Sequence, residues 1–316
     1  LKIIRERFVM EKSMFFDLHQ EQKAFFRSGK THDIPFRIET LKKLKNLISK
    51  HEKEILAAVY ADLHKDDIDA YATELSGVYN EIKIAIANVR DWAVREKVLT
   101  PIIMYPAKSY IYKEPYGVTL IIAPWNYPFQ LLMMPLIGSI AAGNTAILKP
   151  SEISSQTAAV LEKMINNAFP RQYIHVVQGA AQETQALLEL PVDYIFFTGS
   201  VPVGKAVMAA AAKNLTPLTL ELGGKSPAII HETAHLETAA NRIGWGKFLN
   251  AGQTCIAPDY VLVHESIKDA FIDELTYGVE DSILAFNYDK NGDYWWDASL
   301  FSTTNNKIMY TRYGSE

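Results

Sequence analysis

Residues 117–152 read GVTLIIAPWNYPFQLLMMPLIGSIAAGNTAILKPSE. A short, β-branched apolar run at 118–122 meets a Pro-Trp-Asn turn. A longer apolar stretch, about 130–142, stops at Gly143, and a second short run at 145–148 ends in Lys-Pro-Ser-Glu. Short β-branched runs bounded by turn residues read as strands, and the longer run reads as a buried helix. The apolar stretch over 128–142 is shorter than the ~20 residues that a membrane helix needs. The same signal continues with short runs at 174–177, 194–198 and 218–221, and helical stretches at about 154–168, 181–189 and 203–213 separate them. Strands that alternate with helices imply a parallel sheet covered on both faces, a doubly wound α/β fold. Such sheets bind ligands at the carboxyl ends of their strands. The polar signals stand there: Pro124-Trp125-Asn126, Lys149-Pro150-Ser151-Glu152, Gly179 and Thr198-Gly199-Ser200.

Outward from this block the pattern changes on both sides. The first hundred residues read as helices. Leu41, Leu44, Leu47 and Ile48 share one face behind the start signal Asp33-Ile34-Pro35, and Ile55, Leu56, Val59 and Leu63 repeat the period. Tyr71, Leu75, Val78, Ile82, Ala85, Ile86 and Val89 keep a helical period for over five turns, and the Pro- and Tyr-punctuated residues 98–114 read as an extended excursion or hairpin. On the far side a second unit begins near residue 222. It offers a strand at 227–230, a helix at about 236–249, a loop with Cys255, a strand at 260–263 and a helix at 267–277. From about 279 the chain shows no clear period. The expected division is 1–221 and 222–316, the second part being a partial α/β domain with an atypical tail.

Composition narrows the function classes. The 316 residues are 48% hydrophobic and carry a net charge of −4, with no lysine- or arginine-dense block to suggest nucleic-acid binding. A single cysteine excludes a disulfide framework and points to a reducing, cytoplasmic compartment. Leu1 to Phe16 mixes charges with isolated apolar residues, which fits neither a signal peptide nor a membrane span.

Four features carry chemistry. A lone cysteine is by default a small buried hydrophobe, but Cys255 ends Asn250-Ala251-Gly252-Gln253-Thr254 between a helix and a strand. Small, polar neighbours at that junction leave room for a substrate that a thiolate could attack. Glu221 ends an apolar strand and Leu222-Gly223-Gly224 follows. Glycines there allow close approach, and a half-buried carboxylate facing the gap would have the raised pKa of a general base. Asn126 reads as a turn residue or as a neutral amide donor to an oxyanion. Gly199 and Gly204 bracket a strand-to-helix junction whose N–H groups could hold a pyrophosphate, although no G-x-G-x-x-G occurs. His231-Glu232-Thr233-Ala234-His235 matches the zinc pattern H-E-x-x-H. That pattern needs a helix to bring both imidazoles to one face, and here it spans a strand end and the approach to a helix, so no metal site is expected.

In order along the chain stand Pro-Trp-Asn at 124–126, Lys-Pro-Ser-Glu at 149–152, Phe-Thr-Gly-Ser at 197–200 with Gly204, Glu-Leu-Gly-Gly-Lys-Ser-Pro at 221–227 and Gly-Gln-Thr-Cys at 252–255. This ordered set resembles the aldehyde dehydrogenase superfamily over about residues 17–278, and the class 3-like, fatty-aldehyde branch in particular. Lys247-Phe248-Leu249-Asn250-Ala251 and Cys255-Ile256-Ala257-Pro258-Asp259-Tyr260 look like that branch. The resemblance implies Cys255 as nucleophile, Asn126 with the Cys255 N–H as oxyanion hole, and Glu221 as the base that activates the hydrolytic water. It implies that Lys149 and Glu152 hold an adenosine ribose. Pro124, Trp125, Gly179, Thr198, Gly199, Ser200, Val203, Gly204 and Leu222 would line the rest of the cofactor's site. The expected reaction is oxidation of an aldehyde, medium- or long-chain aliphatic or aromatic, to a carboxylic acid by NAD, with NADP as the other cofactor of the branch. The full-length protein is expected to be a homodimer.

Two departures stand beside the resemblance. The family has a later Glu-x-Phe-Gly-Pro segment whose Glu holds the nicotinamide ribose, and no Phe-Gly-Pro occurs here. The family's catalytic domain also runs on past the length of this chain. These departures imply a C-terminally truncated chain, and the alternative reading is a relative that binds dinucleotide without turnover.

Overall fold

The computed structural model describes residues 2–276, with side chains from Ser13 onward; the expected atypical tail from about 279 lies outside the described residues. Two compact units divide between Gly223 and Gly224.

The first unit opens with helices. These are α1 (Lys2–Arg27), α2 (Ile34–Leu63), α3 (Asp67–Ala70), a π-helical turn (Tyr71–Leu75) and α4 (Ser76–Trp92). The start signal works as read: Asp33 caps α2 by accepting from the Phe36 N–H at 3.1 Å, and Pro35 occupies the first turn, where no intrahelical N–H is needed. Leu41, Leu44, Ile48, Ile55 and Val59 of α2, with Leu75, Val78, Ile82, Ala85 and Val89, are buried, as their spacing requires. Residues 98–114 belong to a hairpin, in which β1 (Glu96–Val98) pairs antiparallel with β2 (Ser109–Ile111).

Five parallel strands follow: β3 (Val118–Ile122), β4 (Thr145–Lys149), β5 (Ile174–Val176), β6 (Tyr194–Gly199) and β7 (Leu218–Leu222). Their spatial order is β5-β4-β3-β6-β7. The connecting helices are α5 (Gln130–Ala142), α6 (Ser155–Ala168), α7 (Ala181–Leu188) and α8 (Val201–Ala212). Successive strand side chains face opposite ways. Ile121, Ala146, Leu148, Ile174 and Val176 therefore join one core with α2, α4, α5 and α6. Leu120, Ile122, Ile147, Ile195 and Phe197 join a second core with residues of α1, α7 and α8. The sheet is thus doubly wound. Its strand order reverses between β3 and β6, and in this class the carboxyl side of that switch point is the binding crevice.

The second unit holds β8 (Ser226–Ile230), α9 (Leu236–Phe248), β9 (Pro258–Val263) and a helix over 268–276. β8 and β9 pair in parallel, and Ile230, Ala240 and Phe271 form the buried centre of a small core. Among the described residues no helix is long and apolar enough to cross a membrane.

Candidate active site

The parallel topology brings the predicted residues of the first unit to one edge of the sheet. Asn126 follows β3, Lys149 ends β4, Gly179 follows β5, Thr198 and Gly199 end β6, and Glu221 and Leu222 end β7. β6 and β7 set Thr198 opposite Glu221 and Gly199 opposite Leu222. Lys149 is buried, donates to the Pro150 carbonyl at 2.7 Å and lies 3.7 Å from the Glu152 carboxylate, which is half exposed. Burial pushes the Lys149 ammonium below its ordinary range, against the opposing pull of Glu152 and Glu183. Glu183 escaped the sequence reading. It accepts from the Ala180 N–H at 2.7 Å, and its carboxylate at the third position of α7 is the signal that could have found it.

The turn from β6 into α8 is tightly built. A Cβ on Gly199 would stand 2.5 Å from Cζ of the buried Phe197, and one on Gly204 would stand 2.8 Å from Leu222 Cδ2. Little room is left here for a side chain, and the two glycines stand five positions apart, the spacing of the first and last glycines of the usual dinucleotide fingerprint. The first internal bond of α8 runs from the Gly204 N–H to the Ser200 carbonyl at 2.8 Å, so the Val201 and Val203 N–H groups have no acceptor within the helix. At the end of β6 the Thr198 hydroxyl is buried without a hydrogen-bond partner. An orphaned hydroxyl, open helix N–H groups and a backbone without room for a Cβ fit a phosphate-bearing cofactor.

Glu221 corrects one expectation. It is exposed, not half-buried. Strand alternation is the reason: Leu218, Leu220 and Leu222 turn to the core, which leaves Glu221 on the opposite side of the outermost strand.

In the second unit the chain leaves α9 through three successive left-handed residues, Asn250 (φ 55°), Ala251 (φ 56°) and Gly252 (φ 74°). Such a conformation costs about 1 kcal/mol or more for a residue with a Cβ. It turns the chain sharply before Cys255, and the thiol is exposed. A Cβ on Gly224 would come within 2.8 Å of the Cys255 carbonyl oxygen, so the second glycine of the Gly223-Gly224 pair is needed for close backbone approach. The H-E-x-x-H segment lies in a turn between β8 and α9. His235 caps α9 by accepting from the Thr238 N–H at 3.3 Å, so the two imidazoles do not share a helical face. Among the described residues no cluster of three or more His, Cys, Asp or Glu could hold a metal ion.

The sequence profile of the aldehyde dehydrogenase family matches residues 18–289, a span that takes in every candidate residue above. The chain belongs to the aldehyde dehydrogenase family. Among its relatives is the 4,4'-diaponeurosporen-aldehyde dehydrogenase of Staphylococcus aureus, 55% identical over 81% of this chain and 56% of that protein. The dimeric NADP-preferring aldehyde dehydrogenase of Canis lupus familiaris is 43% identical over 83% of this chain and 58% of the relative. A substrate-bound structure of Staphylococcus aureus AldH superposes with a TM-score of 0.82 at 50% identity, covering 88% of this chain and 60% of that one. The chain therefore spans little more than half the length of the family members it matches.

Proposed function

We propose that this chain carries the aldehyde-oxidising chemistry of an NAD(P)-dependent aldehyde dehydrogenase, with Cys255 as its nucleophile. The observation that carries the reading is the exposed Cys255 in its Gly-Gln-Thr-Cys turn, inside the residues matched to the family. The cofactor is assigned to Pro124, Trp125, Lys149, Glu152, Gly179, Thr198, Gly199, Ser200, Val203, Gly204 and Leu222, and when bound it supplies the hydride acceptor. The Cys255 thiolate attacks the aldehyde carbon, and the carbonyl oxygen becomes an oxyanion. Asn126 is assigned the amide that donates to that oxygen, which a neutral donor can stabilise without giving up a proton. Once the carbon is at the thioester level, Glu221 takes a proton from water. The resulting hydroxide attacks the thioester, the C–S bond breaks, and the acid leaves with the thiolate restored. An exposed carboxylate is accessible to that water, so the exposure of Glu221 is compatible with its role. The substrate class proposed is a medium- or long-chain aliphatic or aromatic aldehyde, in a cytoplasmic enzyme whose partner is a second copy of itself.

The test uses the purified chain with NAD or NADP and a panel of aliphatic and aromatic aldehydes, alongside 4-nitrophenyl acetate, whose hydrolysis needs no hydride step. Expected are reduced cofactor or nitrophenolate, mass-shifted Cys255 after brief exposure to the ester, and loss of both signals in Cys255→Ser. Cofactor binding without any acylation of Cys255 would refute the proposal in favour of a dinucleotide-binding role alone.

A further inference from the structure

The loop that carries Asn126 is pinned at both ends. At its start the Ala123 N–H donates to the Lys149 carbonyl at 3.1 Å. At its end, where α5 begins, the first N–H groups need acceptors. Phe129, the residue at the cap position, has no side chain able to supply one. The acceptor comes from another element. Glu74 Oε2 takes the Phe129 N–H at 3.1 Å and the Gln130 N–H at 2.8 Å. Its other oxygen, Oε1, accepts from Lys65 Nζ at 3.0 Å, and that ammonium lies 4.1 Å from the centroid of the Tyr127 ring. Glu74 is fully buried and Lys65 is 5% exposed. One buried ion pair thus grips the residue after Asn126 and the two residues that open α5.

One further observation and one general argument say that the pair does more than fill space. Glu74 stands in the π-helical turn Tyr71–Leu75. Such turns interrupt a helix at an energetic cost and concentrate at functional sites. A buried ion pair is also a poor source of stability, because desolvating both charges consumes most of the Coulomb gain and a well-packed apolar pair commonly does as well. A directional acceptor for two backbone N–H groups is something an apolar pair cannot offer.

We infer that Glu74 and Lys65 are positioning residues for acyl transfer, holding the Pro124–Asn126 loop so that the Asn126 amide is presented to the developing oxyanion. This rests on the proposed function, since it assumes that Asn126 serves acylation. Neither residue touches a reacting atom in this assignment. A displacement of about 1 Å in such a donor costs on the order of a hundredfold in rate.

The experiment is a double-mutant cycle on 4-nitrophenyl acetate hydrolysis by the full chain, with a thermal melt of every variant. Glu74→Gln and the double variant Lys65→Met/Glu74→Gln are each made with Asn126 intact and with Asn126→Ala. The double variant leaves no buried charge unpaired and so keeps the fold in reach if the single one melts. With Asn126 intact, kcat should fall roughly 10- to 100-fold with little change in KM. In the Asn126→Ala background the same changes should alter kcat by less than about twofold, the ordinary scatter of such cycles. Equal falls in both backgrounds, or no fall with Asn126 intact, overturn the inference and leave the proposed function standing. So does failure of both variants to melt cooperatively, because the pair would then be purely structural. An unsubstituted chain that does not acylate, or an Asn126→Ala variant as fast as the parent, overturns the proposed function and this inference with it.

Discussion

Adding one methyl group at Gly199 tests the proposed cofactor site most directly. The new Cβ would lie 2.5 Å from Phe197 Cζ, with Cε1 at 3.2 Å and Cε2 at 3.3 Å. Ordinary carbon contact is about 3.5 Å, so the backbone or the ring must give by about 1 Å. The ring is 3% exposed and belongs to the core that also holds Ile195 and Val207, so it has nowhere to turn. The strain therefore falls on the start of α8, which would move away from β6. Overpacking of this kind costs about 1–3 kcal/mol. For a chain of this size it lowers the melting temperature by roughly 2–10 °C. The displaced Val201 and Val203 N–H groups would each lose a charge-assisted bond to a phosphate, about 1.5–3 kcal/mol apiece. Together these effects predict NAD binding weakened by at least about 10-fold in Gly199→Ala. Gly204→Ala should cost less, because the atom in its way is the tip of the more adjustable Leu222 side chain. Isothermal titration calorimetry with NAD, run beside a thermal melt, measures both effects. Unchanged affinity in a Gly199→Ala protein that also melts like the parent would refute the steric argument. Lower melting temperature with unchanged affinity would move the cofactor away from this turn.

Three other outcomes are expected. Glu152, half exposed beside Lys149, should favour a ribose hydroxyl over a 2′-phosphate, so NAD should bind roughly fivefold tighter than NADP, a gap of about 1 kcal/mol that Glu152→Gln narrows. Equal or tighter NADP binding, in keeping with the NADP-preferring canine relative, would overturn this. Arg37 is buried and donates to the carbonyls of Thr31 (2.8 Å), Ala141 (3.1 Å) and His32 (3.2 Å), so Arg37→Met should lower stability by about 2–5 kcal/mol in urea unfolding, and a loss below about 0.5 kcal/mol would show that the carbonyls find other donors. Burial holds His19 and His175 below their ordinary 6.5, so the unfolded chain takes up protons first as the pH falls. Their contribution to stability is complete above about pH 6.5 and is lost as the pH drops through their folded values; His19→Gln with His175→Gln should flatten that slope, and an unaltered slope would assign it to other groups.

The amino-acid sequence is enough to assign most of the elements, the fold class and the family. Those signals are local: β-branched runs, a helical period, caps such as Asp33, and ordered motifs whose spacing survives without any knowledge of contacts. The strand bounds came out within a residue or two for the same reason. Helix α8 began earlier than read, at Val201, because Pro202 in a first turn is a start signal, not a breaker. What depends on neighbours far along the chain is visible only once the chain is folded. Periodicity says that a face is apolar, but it does not say which face covers it. The order β5-β4-β3-β6-β7, with every strand parallel so that the candidate site residues share one edge, follows from how whole faces pack. The exposure of Glu221 is not legible in the sequence, because lying on an edge strand is a property of that order. Gly224 against the Cys255 carbonyl, Arg37 against the end of α5, and Glu74 beneath the Asn126 loop all join residues more than thirty positions apart. A buried charge leaves no periodic trace in a sequence. Its reason for being there is a partner that only the folded chain brings within 3 Å.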